Sequence, residues 1–410
     1  MTRSLPLFVF AAGLSACGSP TITDQPIPAE PERPFHAAEL AVASASDAFG
    51  VRLLRQVAEA EAAPNLLISP LSASLALGMT LNGAQASTYT AMRDALGFTD
   101  LDQAAVNDAY RGLIPQLLAR DPDVEFTLAN ALWYRRGFDV KQPFKDAAHT
   151  HFRAHVADLD FSDPAAPRTI SQWAEDRTGG RIQDLVEQID PLDMLFLVNA
   201  VYFKAPWAQP FHPNSTRDAA FVMDGGSTVM VPTMTQDAAF PHLTNDEVQA
   251  VELPYAEGDF AMLLLAPPPG FPLRAFVAGL TTAKIDGWLT AMQNGRIMLS
   301  MPKFSFEYDV TMNDALIALG MGVAFDPEAA NFDGIHDATR NDLYISKVRQ
   351  KAFIDVHELG TEAAAATSVT VGVTSMPPVL AFDRPFLFAI RERESGAILF
   401  IGLVGDPSAR

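Results

Sequence analysis

Residues 358–378 read ELGTEAAAATSVTVGVTSMPP, from Glu358 to Pro378, and their reading decides the fold. The stretch is small, β-branched and almost uncharged. Read as an extended chain, it has two unlike faces, because successive side chains alternate across a strand. Thr361, Ala363, Ala365, Thr367, Val369, Val371 and Val373 point one way; Glu362, Ala364, Ala366, Ser368, Thr370, Gly372 and Thr374 point the other. The first face is apolar apart from two threonines, and the second is polar or tiny. Such a segment can enter a sheet with one face buried. It can also stay outside, since it carries no large apolar side chain that must be hidden. Thirteen residues at about 3.3 Å each would span roughly 40 Å as a strand. A permanent sheet strand followed by a Pro-Pro loop is the plainer alternative.

Outward from this stretch, the flanks are strands. Phe353 to Val356 precedes it. Phe386 to Arg391 and Ala397 to Leu403 follow, joined through Glu394-Ser395-Gly396 as a hairpin. Ile297 to Phe306 alternates cleanly as one strand, and Asn313 to Leu319 reads as a helix ended by Gly320. Phe126 to Trp133, Phe196 to Phe203, Ala250 to Leu253 and Met262 to Ala266 are further strands. The first half is richer in helix. Residues 38–60 have helical apolar spacing; Asn65 to Ile68 is a short buried strand; Ser69 is placed to cap a helix that Pro70 begins and Gly83 closes. Thr88 to Leu96, stopped by Gly97, and Thr169 to Ala174 are also helical. Early helices and late strands, without regular βα alternation, give an α+β fold rather than a doubly wound sheet. No internal repeat or second linker divides residues 36–410, which are expected to form one domain.

The composition fits that reading. Of 410 residues 49% are hydrophobic and 19% charged, enough for a large core. The net charge of −20 opposes nucleic-acid binding, which needs a basic field. No basic cluster marks a heparin-type activator site. One cysteine excludes an internal disulfide or a multi-cysteine zinc site. No apolar run reaches the roughly 18 residues of a membrane-spanning helix. That cysteine, Cys17, closes an N-terminal pattern: Arg3, an apolar run from Leu5 to Ala16, then Leu14-Ser15-Ala16-Cys17. The pattern resembles a bacterial lipobox, which implies a signal peptide over 1–16, a lipidated Cys17 and anchoring by acyl chains. An ordinary cleaved signal peptide is the alternative. Gly18, not Asp, follows the cysteine, which in lipoproteins implies the outer membrane. Pro20, Pro26, Pro28, Pro31 and Pro34 make the stretch to residue 35 a semi-rigid tether.

Catalytic signatures do not appear. There is no Gly-x-Ser-x-Gly elbow, phosphate loop or His-Glu-x-x-His, and Gly320-Met321-Gly322 lacks the third glycine of a dinucleotide turn. His149, His151 and His155 cluster, with 151 and 155 on one face if the stretch is helical, but a third metal ligand is not evident. A solvated face is expected there, with no metal and no cofactor.

Against this background, Glu358 to Thr367 resembles the reactive-loop hinge of the serpins, the serine protease inhibitors. The resemblance extends in order through Asn65 to Met79, Asn130 to Trp133, Trp173 to Val186, Leu197 to Trp207 (LVNAVYFKAPW), Val251 to Tyr255, Met301 to Phe304, Leu319 to Met321, Asp383 to Phe388 and Phe400 to Pro407. It covers about 40 to 407. It implies one domain with about three β-sheets, surrounding helices and an exposed reactive loop over about 358–378.

The family mechanism, in turn, is implied: a serine protease attacks the loop, forms an acyl-enzyme, and is trapped when the cut loop enters the central sheet. The hinge would comprise Glu358, Gly360, Thr361, Glu362 and Ala363, Ala364, Ala365, Ala366, with Thr361 beginning insertion. Family spacing puts the scissile bond at Thr374-Ser375. Val371 and Val373 precede it and Met376 follows, so an elastase-like or subtilisin-like target is implied; Val373 and Met376 are alternative cut positions. Ser69, Ser72, Asn199, Trp207 and Gln350 match the region where the sheet opens, though Ser69, Ser72 and Asn199 also suit ordinary capping and core bonding, and Trp207 plain packing. Gln350 stands where many members carry histidine, and Leu359 where a polar residue is usual. The partner expected is a serine protease held covalently by a monomer, with membrane contact through the lipid alone. A non-inhibitory binding module or plain substrate is the competing reading.

Overall fold

The computed structural model describes residues 33–190, 193–337, 343–362 and 377–409. The helical first half packs beneath and beside two sheets. Helix α1 (Ala37–Ala60) buries Val42, Phe49, Leu53, Leu54 and Val57 along one stripe. Helix α2 (Pro70–Leu81) is buried almost all round, which is why its sequence is nearly all apolar or small. Helices α3 (Ala86–Leu96), α4 (Gln103–Ala119) and α5 (Gln142–Phe152) complete this layer. Gly97 ends α3 as expected, with φ +80° in the left-handed region. Ser69 holds the N-cap position of α2, but its hydroxyl makes no cap bond. A glutamine from a distant strand takes the Ser69 backbone instead, as described below.

The six-stranded sheet runs in the order β10 (Phe304–Thr311), β11 (Arg349–His357), β12 (Gly360–Thr361), β4 (Leu195–Pro206), β2 (Glu125–Arg135), β3 (His155–Leu159). The larger sheet runs β1 (Asn65–Ile68), β15 (Ile398–Val404), β14 (Phe386–Glu392), β8 (Phe260–Ala266), β7 (Gln249–Pro254), β6 (Thr228–Thr244), β9 (Gln293–Pro302), β13 (Val379–Ala381), with β5 (Arg217–Val222) paired to β6. Among the described residues, the strands link through hydrogen bonds into two continuous sheets. The 17-residue β6 joins what would otherwise be separate: its first part pairs β5, its middle β9 and its end β7.

Two local readings are corrected. The alternating run Ile297 to Phe306 is two strands, because the chain changes sheet at Lys303, whose N–H bonds Pro232 O at 2.8 Å. Period-2 alternation persists through such a crossing, so the sequence does not reveal it. The helix over Asn313 to Leu319 is α-helical only for Asn313–Leu316, then passes into a π turn, Ile317–Met321, around Gly320 with φ +103°.

One core joins both sheets and the α1–α5 layer. A second lies on the opposite face of the six-stranded sheet. There α6 (Ala166–Arg177) and the segment after it lay Ile170, Ala174, Ile182, Leu185 and Val186 on Ala129, Ala131, Val198 and Ala200. Odd-numbered β4 residues face the main core and even-numbered ones face α6. The histidines do not share a helix face. His149 and His151 close α5, Arg153 terminates it in the left-handed region (φ +53°), and His155 begins β3. His155 packs between Trp133, 4.9 Å away, and Trp173, 6.0 Å away, and burial lowers its pKa. No group of residues that could hold a metal occurs among the described residues. No described helix is long and apolar enough to cross a membrane.

Candidate functional site

The hinge does not stand clear of the sheet. Gly360 and Thr361 form β12, hydrogen-bonded on one side to β11 (Val356 opposite Thr361, His357 opposite Gly360) and on the other to β4 (Ala205 opposite Thr361, Pro206 opposite Gly360). Both pairings are antiparallel. Beyond this two-residue wedge, no strand lies between β11 and β4 among the described residues. Gly360 is required here: its φ is +151°, and a Cβ would overlap the Ala205 carbonyl.

Each hinge side chain is held. Glu358 accepts from Thr216 Oγ1 at 2.7 Å and pairs with Lys303 Nζ at 2.9 Å. Burial raises its pKa, but those two bonds outweigh the burial and hold the carboxyl below its ordinary value. Phe211 N donates to Glu358 O at 2.8 Å, and Trp207 N to Leu359 O at 2.9 Å. Leu359 N in turn donates to His357 Nδ1 at 3.2 Å, so the leucine is fixed through its backbone and the usual polar side chain is not needed. Thr361 is 2% exposed and shares a 2.6 Å hydrogen bond with Tyr255 OH. Tyr255 stacks on Trp207 with centroids 4.4 Å apart and planes 11° apart, and Trp207 Nε1 donates to His357 O at 2.9 Å. Trp207 thus packs beside β12 and braces it through Tyr255 and His357.

Glu362 departs from expectation. The alternation placed it on the polar face, yet it is only 9% exposed. Its Oε2 accepts from Tyr202 OH at 2.8 Å and lies 3.2 Å from Arg181 Nε. Burial raises its pKa, partly offset by Tyr202 and Arg181. The reason is the segment that follows α6: its Arg181 reaches the face opposite the core, so the Glu362 side chain meets protein there before water. That segment is laced to β11 as well, through Lys351 Nζ to Gln183 O at 2.7 Å and an Arg349–Glu187 pair at 3.8 Å. At Glu362 the backbone turns to φ +53°, and the chain leaves the strand.

Deeper in the sheet, Ser69, Ser72 and Gln350 come together as the sequence reading grouped them. Gln350 Oε1 accepts from Ser69 N at 2.8 Å, and Nε2 donates to Ser69 O at 3.2 Å and Ser72 Oγ at 3.3 Å. Asn199 bonds elsewhere. It lies opposite Asn130 on β2 and donates to that side chain, and Asn130 Nδ2 reaches Phe152 O at 3.3 Å. Tyr202, Tyr255, Lys303, Thr216, Arg181 and Asn130 are the site residues that reading did not single out. All but Thr216 lie inside blocks quoted above, but their partners are 69 to 181 positions away, or 55 for Lys303, and no local signal links them. Ala363 to Ala366, Val371, Val373, Thr374, Ser375, Met376 and Cys17 lie outside the described residues.

A sheet opened at its top by the first residues of a long, small-residue loop defines a class of protein whose loop and sheet are parts of one device. The chain belongs to the serpin family: the family model described as serpin (serine protease inhibitor) matches residues 44–407. It is 36% identical to an uncharacterised serpin-like protein of Thermococcus kodakarensis over 84% of this chain and 81% of that one. It is 34% identical to glia-derived nexin of Mus musculus over 87% and 91%. Among solved structures it resembles the thermophilic serpin tengpin in its native state (TM-score 0.83, 29% identity, 92% of this chain and 96% of that one) and human thyroxine-binding globulin (TM-score 0.83, 30% identity, 91% and 100%). Members of this family are typically serine protease inhibitors that act on target proteases, some are non-inhibitory, and they are not catalysts.

Proposed function

We propose that this chain is a suicide-substrate inhibitor of serine proteases. The observation that carries the reading is β12: the two residues at the start of the loop already pair between β11 and β4. The bond attacked is Thr374-Ser375, with Val373 and Val371 before it and Met376 after it shaping the fit to a shallow apolar pocket. The target class is elastase-like or subtilisin-like. On this reading the serine of the protease attacks the Thr374 carbonyl, the Thr374–Ser375 bond breaks, and Thr374 stays esterified to the protease. The freed strand then follows Thr361 into the sheet and carries the protease with it. Small residues at 363–366 suit that passage, since a charge there would have to be buried.

The N-terminal pattern supports an exported protein with a signal peptide over 1–16, lipidated at Cys17 and tethered to the cell envelope, in the outer membrane, by residues 17–35; the inhibitor acts as a monomer on this reading. Residues 36–410 then form the inhibitory domain. The likeness to thyroxine-binding globulin favours one second reading, a non-inhibitory binding module. Incubation of the detergent-solubilised chain with elastase, subtilisin and trypsin, followed by denaturing gels and intact-mass analysis, separates the two. A denaturant-stable adduct with elastase or subtilisin and a released peptide beginning at Ser375 is expected. Clean cleavage with active protease would favour the second reading.

A further inference from the structure

A cleft of about 410 Å³ lies far from the hinge in the fold, and the inhibitory reading does not use it. Three connections shape it: the β5–β6 turn, the loop from β8 to α7 (Leu273–Ala278), and the link from β13 to β14. Its volume falls within the roughly 300–1,000 Å³ of small-molecule sites. Its walls are largely apolar. Val222 and Phe271 line it while standing 45% and 48% exposed, and four prolines, Pro267, Pro269, Pro272 and Pro385, line it with them.

The cleft is poor in hydrogen-bond donors. A proline brings no N–H. The neighbouring amides are already spent: Val222 N donates to Asp383 O at 2.8 Å, Met223 N to Ser227 O at 2.9 Å, Gly226 N to Met223 O at 2.8 Å and Phe271 N to Pro268 O at 3.0 Å. Leu273 N, at the start of α7, donates to Asp224 Oδ2 at 3.1 Å. Arg384 is the one cationic side chain in the lining among the described residues. It is 17% exposed and engaged twice, from Nε to Pro267 O at 3.1 Å and from Nη1 to Asp383 Oδ1 at 3.3 Å. Acceptors are in excess. Asp224 and Asp383 each spend one carboxylate oxygen in these bonds and keep the other without a partner among the described residues. Two carboxylates against one engaged guanidinium leave the cleft negative.

We propose that this cleft binds a small organic cation: a primary ammonium group on a compact apolar body. The ammonium supplies three donors where the walls supply acceptors, and it meets the open oxygens of Asp224 and Asp383. The apolar body lies against Val222 and the prolines, and Phe271 offers its ring face to the charge. An anion of the same size would meet two carboxylates and a guanidinium already engaged. The net charge of −20 further favours encounter with cations. The proposal does not depend on the inhibitory reading, because none of these residues belongs to the hinge or to the loop.

The test titrates the full chain in detergent with phenethylamine by isothermal calorimetry at low salt, subtracting a titration into detergent alone. Phenylacetate and phenethyl alcohol serve as the matched anionic and neutral probes. Saturable one-to-one binding is expected for the amine, about fivefold weaker binding for the alcohol, and weaker still for the acid. Asp224→Asn keeps an oxygen for Leu273 N and removes only the charge; Asp383→Asn does the same opposite Arg384. Each should weaken the amine about fivefold and leave the alcohol unchanged. Phe271→Ala, at an exposed side chain, should weaken amine and alcohol alike, and it decides the matter should either aspartate variant lower the thermal midpoint of the unliganded chain. Absence of saturable amine binding, equal binding of the three probes, or an amine affinity untouched by Phe271→Ala and by both aspartate substitutions would overturn the proposal and leave the inhibitory reading as it stands.

Discussion

Two glutamates four residues apart in the hinge carry opposite electrostatic signs. Glu358 is held below its ordinary pKa by Thr216 and Lys303 despite burial; Glu362 is held above it by burial despite Tyr202 and Arg181. A depressed carboxyl contributes stability above its unfolded pKa and loses it as pH falls through the folded value. A raised one contributes stability below its unfolded pKa and loses it as pH rises through the folded value. Thermal midpoints measured from pH 3.5 to 8 should therefore separate the two. Glu358→Gln is expected to destabilise at neutral pH, the difference closing below about pH 4. Glu362→Gln is expected to stabilise relative to wild type at neutral pH, the difference closing as wild-type Glu362 protonates. Gly360 makes the other residue-scale prediction. With φ +151° and no room for a Cβ against Ala205, Gly360→Ala adds about 1–3 kcal/mol of strain to the inserted pair. Titration against elastase should then show more inhibitor consumed per protease trapped, by a factor on the order of five to thirty.

At the scale of elements, the α6 roof and the hinge are one assembly. The segment after α6 buries Ile182, Leu185 and Val186 on β2 and β4, and its Arg181, Gln183 and Glu187 reach across to Glu362, Lys351 and Arg349. It thus spans the line along which a new strand would pass. Arg181→Ala removes the cation beside Glu362 and leaves that carboxylate in a buried position with Tyr202 alone. The cost of an unpaired buried charge falls on β12, so the Thr361 and Glu362 amides should exchange about tenfold faster, while amides of β2 and β15 are unchanged. Unchanged exchange at Thr361 would mean that β12 is held by its backbone ladders and by Tyr255 alone.

For the whole molecule, the proposed inhibitory function requires the six-stranded sheet to accept a further strand between β11 and β4. The larger sheet is closed by continuous pairing from β1 to β13, whereas the six-stranded sheet is interrupted beneath β12. Cleavage anywhere in 363–376 should raise the thermal midpoint, because only then can the chain N-terminal to the cut leave its second attachment at β13 and extend the ladder. A net charge of −20 does not oppose this passage, since the inward loop residues are neutral.

Much of this was legible before any tertiary contact was known. Alternation and apolar runs marked β1, β2, β4, β7, β8, β11, β14 and β15 but not β3, β5, β6 or β13, Pro70 and Gly97 marked helix ends, and the two faces of 361–374 followed from alternation and side-chain size. These are local properties, fixed by backbone sterics and by which side chains tolerate burial. The ordered blocks from Asn65 to Pro407 carried the family, and within them Ser69, Ser72 and Gln350 were grouped rightly. What the sequence did not contain was side-chain pairing across long separations. Ser69 looked like a cap, yet Gln350 from β11 reads both its backbone groups. Glu362 looked solvent-facing, yet Tyr202 and Arg181, in the segment after α6, bury it. Asn199 was grouped with Gln350, yet its bond goes to Asn130. Such choices depend on which elements come within about 3 Å of each other, a property of packing that alternation and spacing leave open.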